Sequence, residues 1–391
     1  MNKWQTYKIK DLTQSFSGGT PLTDRPEFYQ NGDIPFITSS DLNQQFIDSV
    51  PHYITKQGLE SSSAKIVEPQ TLLLALYGAT AGTAAITHIR GTINQAILAF
   101  SKSKIDIKFL YYLLCEKKPY ILHTYTQGGQ PNLSAQIVNN LSIYIPTDCH
   151  EQQKVVEVLE TWDKAIQLTR KLIEQKELQK KYLMQQLLTG RTRLKGFTGK
   201  WKKVHLENML YEVDKRTTCN NQYQIMSVTK NGIYSQQEYF DKQIASENNI
   251  GYKILRRSNI VFSPMNLWMG SIGFFQKDIG IVSPAYKIFS INPKIALFDF
   301  LRYFMTTPKM LYLYKINSEM GASIVRRNLD INGLLSSDVF IPSIKEQYAI
   351  AKVISTSDKQ VDLLKQKLVK LEEQKKGLMQ ILLTGKVRLN W

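Results

Sequence analysis

Cysteine is scarce in this chain: Cys115, Cys149 and Cys219 are the only three among 391 residues, and no two have CxxC spacing. An odd, scattered set gives no disulfide framework and fits a reducing compartment. Long apolar runs are missing as well. The longest stretch, Leu72 to Ile86, is broken by Gly78, Thr80, Gly82 and Thr83, and it is shorter than the ~20 residues a membrane span needs. It reads as buried sheet with a glycine-rich turn. No apolar signal core opens the chain, so no membrane partner is expected and the cytoplasm is the expected location. The five histidines, His52, His88, His123, His150 and His205, have no metal-ligand spacing. No GxxxxGK(S/T) loop, GxGxxG turn, nucleophile elbow or Ser/His/Asp arrangement is visible. Nor is there an Asn-Pro-Pro-aromatic or Asp-Pro-Pro-aromatic tetrapeptide of the kind that acts on a flipped base. Glu174-Gln175-Lys176 and Glu373-Gln374-Lys375 lack a preceding Pro-Asp and read as parts of charged helices. The expectation is a chain with no catalytic residues, no metal and no cofactor of its own.

What is present points to a folded protein. Hydrophobic residues make up 43% and aromatic residues 10% of the chain, beyond what a disordered segment carries. The net charge is +17. Its distribution is uneven: +1 over residues 1–150, +5 over 151–200, +7 over 201–345 and +4 over 346–391. A basic surface of this size suits a polyanion, because each phosphate contact releases counterions. It equally suits a lysine-rich surface that only keeps a protein in solution.

The strongest signal is a duplication. Glu151–Leu194 overlays Glu346–Leu389 at a constant offset of 195, with twenty of 44 positions identical, and LMQQLLTGRTRL returns as LMQILLTGKVRL. Each copy follows a short lead-in, Ile145-Pro146 or Ile341-Pro342. A smaller echo opens each half: Trp4, Ile9 and Leu12, then Trp201, Leu206 and Met209. In the second copy Ile350, Ile354, Ser357, Val361, Leu364, Leu368, Leu371, Lys375, Leu378 and Leu382 alternate spacings of four and three, the seam of a coiled coil. The first copy gives Val155, Leu159, Trp162, Ile166, Thr169, Ile173, Lys176, Lys180, Leu183 and Leu187. Lys180 and Lys375 fall at matching seam positions, where a buried lysine costs stability but can fix register. Gly190 and Gly385 come where glycine stops helices. Some 40 residues make a rod of roughly 60 Å, which needs a partner to be stable in water. The other copy in the same chain is the nearest one, giving an antiparallel intramolecular pair; a homodimerising spacer is the alternative.

The segments between the rods read as mixed α/β. In the first, strands are expected at 33–37, 71–76, 84–86 and 97–100, with a helix over 108–116. In the second they are expected at 225–228, 260–262, 272–275 and 286–290, with a helix around 297–306. The predicted fold is therefore α+β: two mixed α/β domains (1–146 and 195–342) separated by two long helices (147–194 and 343–391) in a pseudo-two-fold antiparallel coiled coil. Polar and glycine-bearing loops lie between the strands, and their amides, hydroxyls and arginines suit phosphate and base-edge contacts. In the first domain these candidates are Gly18, Gly19 and Thr20; Thr38 and Ser39; Tyr77 and Thr80; and Gln127, Gln130 and Asn132. In the second they are Lys215 and Arg216; Arg256 and Arg257; Asn266 and Trp268; and Arg326, Arg327 and Asn328. Ordinary turn formation explains any one of these loops equally well, and exposed ion pairs compete for the arginines.

Several of these motifs occur in an order that resembles a known family, the specificity subunit of type I restriction–modification enzymes. They are Trp4 with Ile9-Lys10-Asp11-Leu12, Ser17-Gly18-Gly19-Thr20-Pro21, and Gly32-Asp33-Ile34-Pro35-Phe36-Ile37 leading to Asp41-Leu42. Tyr77-Gly78-Ala79-Thr80-Ala81-Gly82 and Gly128-Gly129-Gln130-Pro131-Asn132-Leu133-Ser134 follow, then Ile145-Pro146 and Glu151-Gln152. Leu187-Leu188-Thr189-Gly190 closes the first half and Leu382-Leu383-Thr384-Gly385 the second. The resemblance implies that each globular segment is a target-recognition domain reading one half of a bipartite site in double-stranded DNA. It implies that the helices set the gap between the half-sites and dock two methyltransferase (modification) subunits. S-adenosylmethionine, ATP and Mg2+ would sit on partner subunits, the last two with restriction and translocase subunits. The second domain departs from the pattern, with Asp214-Lys215-Arg216-Thr217 and Ser323–Asn328 where the first has Gly-Gly-Thr-Pro and Gly-Gln-Pro-Asn. A non-catalytic coiled-coil scaffold that organises partners without DNA readout is the alternative. Replacing Leu364 and Leu368 together by Asp is predicted to part the helices and abolish assembly, because unpaired charge at a seam is costly. Sedimentation of the double variant checks this, and an unchanged profile would contradict it.

Overall fold

The computed structural model describes residues 4–125, 132–229, 232–236, 248–320 and 327–389. The chain divides into two compact units, Met1–Lys171 with Lys365–Trp391, and Leu172–Leu364. Each unit therefore takes one globular portion and part of each long helix.

In the first unit Trp4–Lys8 pairs antiparallel with Ser142–Pro146, tying the start of the globular portion to its end. Its main sheet has five strands in the order Gln14–Ser17, Ile97–Ser101, Thr71–Ala75, Ala84–Thr87, Phe46–Ile47. The two central neighbours form the expected hairpin, Leu72 opposite Ile86, and Gly78 (φ +82°) and Gly82 (φ +72°) take left-handed backbone in its turn. Thr71–Ala75 reads as a continuous apolar run because both of its faces are covered. Leu72 and Leu74 join Phe100 and the helix residues Phe109, Leu110 and Leu113 in one core. Leu73 and Ala75 point the other way, into a second core with Ile37, Ile47 and Ile93. This is the period-two alternation of a strand buried on both sides. A four-stranded sheet, Tyr53–Ile54, Ile34–Ile37, Gly91–Ile93, Lys65–Val67, completes the second layer. The helix expected over 108–116 runs from Ile107 to Tyr125 and passes through Pro119.

The second unit repeats the plan. Lys202–His205 pairs with Asp338–Ile341, and the main sheet runs Leu210–Glu212, Lys287–Ile291, Ile260–Phe262, Ile272–Phe274. That order matches the first four strands of the first unit's sheet. Ile260 and Phe262 face a core with Phe300 and Leu301, while Val261 and Ile288 face Met226 and Leu255. The strands expected at 225–228 and 286–290 each begin and end one residue later, at Met226–Thr229 and Lys287–Ile291.

The long helices are Cys149–Leu187 and Ile344–Leu382. Within the first unit the ion pairs Asp163–Lys375 and Arg170–Glu372 match rising numbers on one helix with falling numbers on the other. Within the second unit Lys180–Asp358 does the same for the other pair of halves, so both are antiparallel. The seam is not uniformly buried. Val155, Leu159, Ile166, Ile173, Leu187, Ile350, Ile354, Val361 and Leu382 are buried, whereas Trp162, Leu183, Leu364, Leu368, Leu371 and Leu378 are half-buried. Apolar burial is fullest where the helices meet the globular cores.

Gly190 (φ +69°) and Gly385 (φ +70°) end the helices in left-handed backbone. A Cβ on Gly385 would come within 3.0 Å of the Trp4 ring, and one on Gly190 within 3.3 Å of the Trp201 ring. Gly377 is helical with nothing within 4 Å of such a Cβ. Gly385→Ala is therefore predicted to destabilise by about 1–2 kcal/mol, and Gly377→Ala to stabilise by about 1 kcal/mol. Thermal melts of the two variants check the opposite signs.

Candidate nucleic-acid interface and the helix joints

The carboxylate–amide pair that opens each long helix organises the joint between helix and globular portion. In the first unit Glu151 is buried. Arg388 donates to it twice, Nε to Oε1 at 2.9 Å and Nη2 to Oε2 at 2.7 Å, and the Trp4 indole donates to Oε1 at 3.0 Å. Arg388 beside it, with Trp4, holds the Glu151 carboxyl below the usual range despite burial. Gln152 donates to the Pro146 carbonyl at 2.9 Å and accepts from the Asp106 N–H at 2.8 Å, at the start of helix Ile107–Tyr125. In the second unit Arg193 donates to both oxygens of buried Glu346 at 2.6 Å. Gln347 donates to the carbonyls of Pro342 and Ile295 and accepts from the Leu297 N–H. Trp201 departs from its counterpart. It lies beside Arg193, whose guanidinium carbon is 5.9 Å from its ring centroid, and its buried Nε1 has no partner among the described residues.

A second polar set recurs about three turns further along each helix. The Tyr112 hydroxyl donates to Asp163 at 2.6 Å, and Asp163 pairs with Lys375, which also lies 5.1 Å from the Tyr112 ring centroid. The Tyr303 hydroxyl donates to Asp358 at 2.5 Å, and Asp358 pairs with Lys180. Burial, followed by the adjacent carboxylate, pushes both phenols up. Lys180 and Lys375 are thus ion-paired, each to an aspartate of the other helix, whereas Lys176 donates to Gln179 on its own helix.

The loop candidates of the first unit occupy several positions. Gly18 and Gly19 face inward: added Cβ atoms would meet the Ile93 carbonyl oxygen at 1.8 Å and the Ser63 hydroxyl at 1.9 Å, so internal packing requires both glycines. Thr20 donates to Gln95 at 2.6 Å. Thr38 binds Asp41 through its N–H and its hydroxyl and touches Ser40, capping a short turn in which Ser39 is half-buried. Tyr77 and Asn132 form an isolated antiparallel bridge, and Thr80, on the turn beside Tyr77, is half-buried. Gln127 and Gln130 lie outside the described residues.

In the second unit Lys215 and Arg256 are exposed. Arg216 pairs with Asp214 at 2.9 Å and Arg257 with Asp278 at 2.7 Å. Trp268 lies against Arg327, whose guanidinium carbon is 4.4 Å from its ring centroid, and Asn266, half-buried, begins the turn that carries Trp268. Asn328 is exposed on the strand Arg327–Leu329, and Arg326 lies outside the described residues. Among the described residues no group of His, Cys, Asp and Glu could hold a metal, and no helix is long and apolar enough to cross a membrane. Sequence reasoning singled out Glu151 only as a motif residue and missed the pairing roles of Asp163, Asp358, Glu151 and Glu346; their signal was identity at the 195 offset.

Residues 1–178 match the family model for the type I restriction modification DNA specificity domain. The type I restriction enzyme EcoR124I/EcoR124II specificity subunit of Escherichia coli is 26% identical over 166 residues, which cover 41% of this chain and 41% of that protein. The match thus spans about two fifths of that relative's length. The MjaVIII specificity subunit of Methanocaldococcus jannaschii is 21% identical over 424 residues, covering 99% of this chain and 93% of that one. The crystal structure of a type I restriction–modification S subunit from M. genitalium superposes with a TM-score of 0.56 at 12% identity, over 97% of this chain and 96% of that chain. At that identity the likeness establishes the fold.

The depressed pKa of Glu151 has a consequence for stability. A carboxylate with a depressed folded value contributes stability above its unfolded value of about 4.3, and loses it as pH falls through the folded value. Glu151→Gln is predicted to melt below wild type at neutral pH, with the gap narrowing steadily below about pH 4.3. Melting curves from pH 7 to pH 3 check this; a gap independent of pH would contradict it.

Proposed function

We propose that the chain is a member of the type I restriction–modification DNA specificity family and that its two globular portions each read one half of a bipartite site in double-stranded DNA. The observation that carries this reading is the repeated plan: the same strand order, the same terminal strand pair and the same glutamate–arginine joint occur in both units. Two readers of one fold but different loops suit two different half-site sequences. The paired helices set the number of unread base pairs between them and dock two methyltransferase subunits. Those subunits carry S-adenosylmethionine and the adenine chemistry, and restriction subunits with ATP and Mg2+ complete the larger complex.

The domain limits follow the same logic, with recognition domains at 1–146 and 195–342 and helical regions at 147–194 and 343–391. The basic balance of the second domain supports phosphate contact there. The exposed side chains Lys215, Arg216, Arg256 and Arg257 are proposed to meet the backbone, while Thr20, Thr38, Ser39, Tyr77, Thr80 and Asn132 form the first domain's contact surface. Gln127 and Gln130, with Arg326, are proposed to extend those surfaces.

Methylome sequencing of a strain with and without this gene tests the proposal. The predicted result is loss of one split adenine-methylation motif, and replacing the loops of residues 1–146 alters one half of that motif alone. An unchanged methylome would sink the reading.

A further inference from the structure

We infer that Arg327, held over the Trp268 ring, reads a guanine in the half-site assigned to the second domain; this rests on the DNA-reading proposal above. Trp268 lies in the short turn Leu267–Met269, which Gly270 closes in left-handed backbone at φ +88°. Arg327 opens a strand that pairs antiparallel with Ser318–Met320, and its own N–H donates to the Met265 carbonyl at 3.3 Å. Backbone hydrogen bonds therefore pin together the two segments that carry the stack. The guanidinium carbon sits 4.4 Å from the indole centroid.

The Trp268 Nε1 and Arg327 Nε groups are both buried and have no partner among the described residues. Buried N–H groups are almost always paired, and neighbouring unpaired ones call for an explanation. Arg216 and Arg257 differ from Arg327 in this respect, because each is neutralised by an adjacent aspartate. No carboxylate among the described residues pairs with Arg327.

A phosphate can be served by any mobile cation on the surface. A guanidinium whose plane is fixed by an aromatic ring is pre-set for two acceptors in that plane. In the DNA major groove guanine offers that pair through O6 and N7, and arginine is its commonest partner.

The test uses the complete complex with its methyltransferase subunits and a library of target duplexes. The second half-site is the half that persists when the loops of residues 1–146 are replaced. Arg327→Ala is expected to lower guanine preference at one position of that half by about 10- to 100-fold. The first half-site and the salt dependence should stay as in wild type. Arg327→Lys, which keeps the charge without the planar fork, is expected to relax the same position and decides the matter if the alanine variant fails to fold. A uniform loss of affinity with a salt slope reduced by about one identifies a phosphate contact and overturns the inference. Full guanine preference in Arg327→Lys also overturns it. So does a wild-type motif without guanine in that half, which leaves the DNA-reading proposal standing; a wild type with no split motif overturns both.

Discussion

Each globular portion is fastened to the helices through one buried carboxylate gripped by an arginine from just beyond the far end of the other helix. Glu151 with Arg388, and Glu346 with Arg193, do this twice in one chain. The geometry is bidentate in both, the arrangement in which arginine and carboxylate bind most strongly. The glutamine that follows each glutamate ties the helix start to the preceding strand and to the first N–H of a domain helix. A helix with one apolar stripe needs a partner to stay folded in water, and this joint makes the partner the other copy. Removing one member would leave the other buried and unpaired, which costs more than never having had the pair.

The lysines at the seam belong to the same logic. A lysine in an apolar seam is costly, and Lys180 and Lys375 meet that cost with aspartates that also accept from tyrosines of the adjacent domains. Shifting either helix along its axis would separate the charges and uncover the tyrosine hydroxyls. Apolar burial does less in the half-buried middle, where Leu364, Leu368 and Leu371 lie. Polar pairs there carry the register that packing alone leaves loosely defined.

Much of this was legible in the sequence, and the exceptions have physical causes. The constant offset of 195 exposed both helices and their orientation, because long periodic segments give the clearest pattern. The central strands were visible because Leu72–Ala75 and Ile97–Phe100 are buried on both faces and read as apolar runs. Phe46–Ile47, Tyr53–Ile54 and Lys65–Val67 were not, since two or three residues show no period. Asp163 and Asp358 escaped because each sits one residue past a seam position, where a charge reads as solvated. Gly18 and Gly19 stood out as loop glycines, but the reason for them is a neighbouring strand and Ser63, which no local pattern reveals. The Trp268–Arg327 stack joins residues far apart in sequence, so only the folded chain brings the pair into view.

The central claim is that the two helices pair antiparallel within one polypeptide. Cysteines placed at positions 163 and 375, in a chain with Cys115, Cys149 and Cys219 replaced by serine, test it with a short thiol-specific cross-linker. The account predicts an efficient cross-link within single chains, independent of protein concentration. A cross-link formed only between two chains, or none at all in the folded protein, would contradict it.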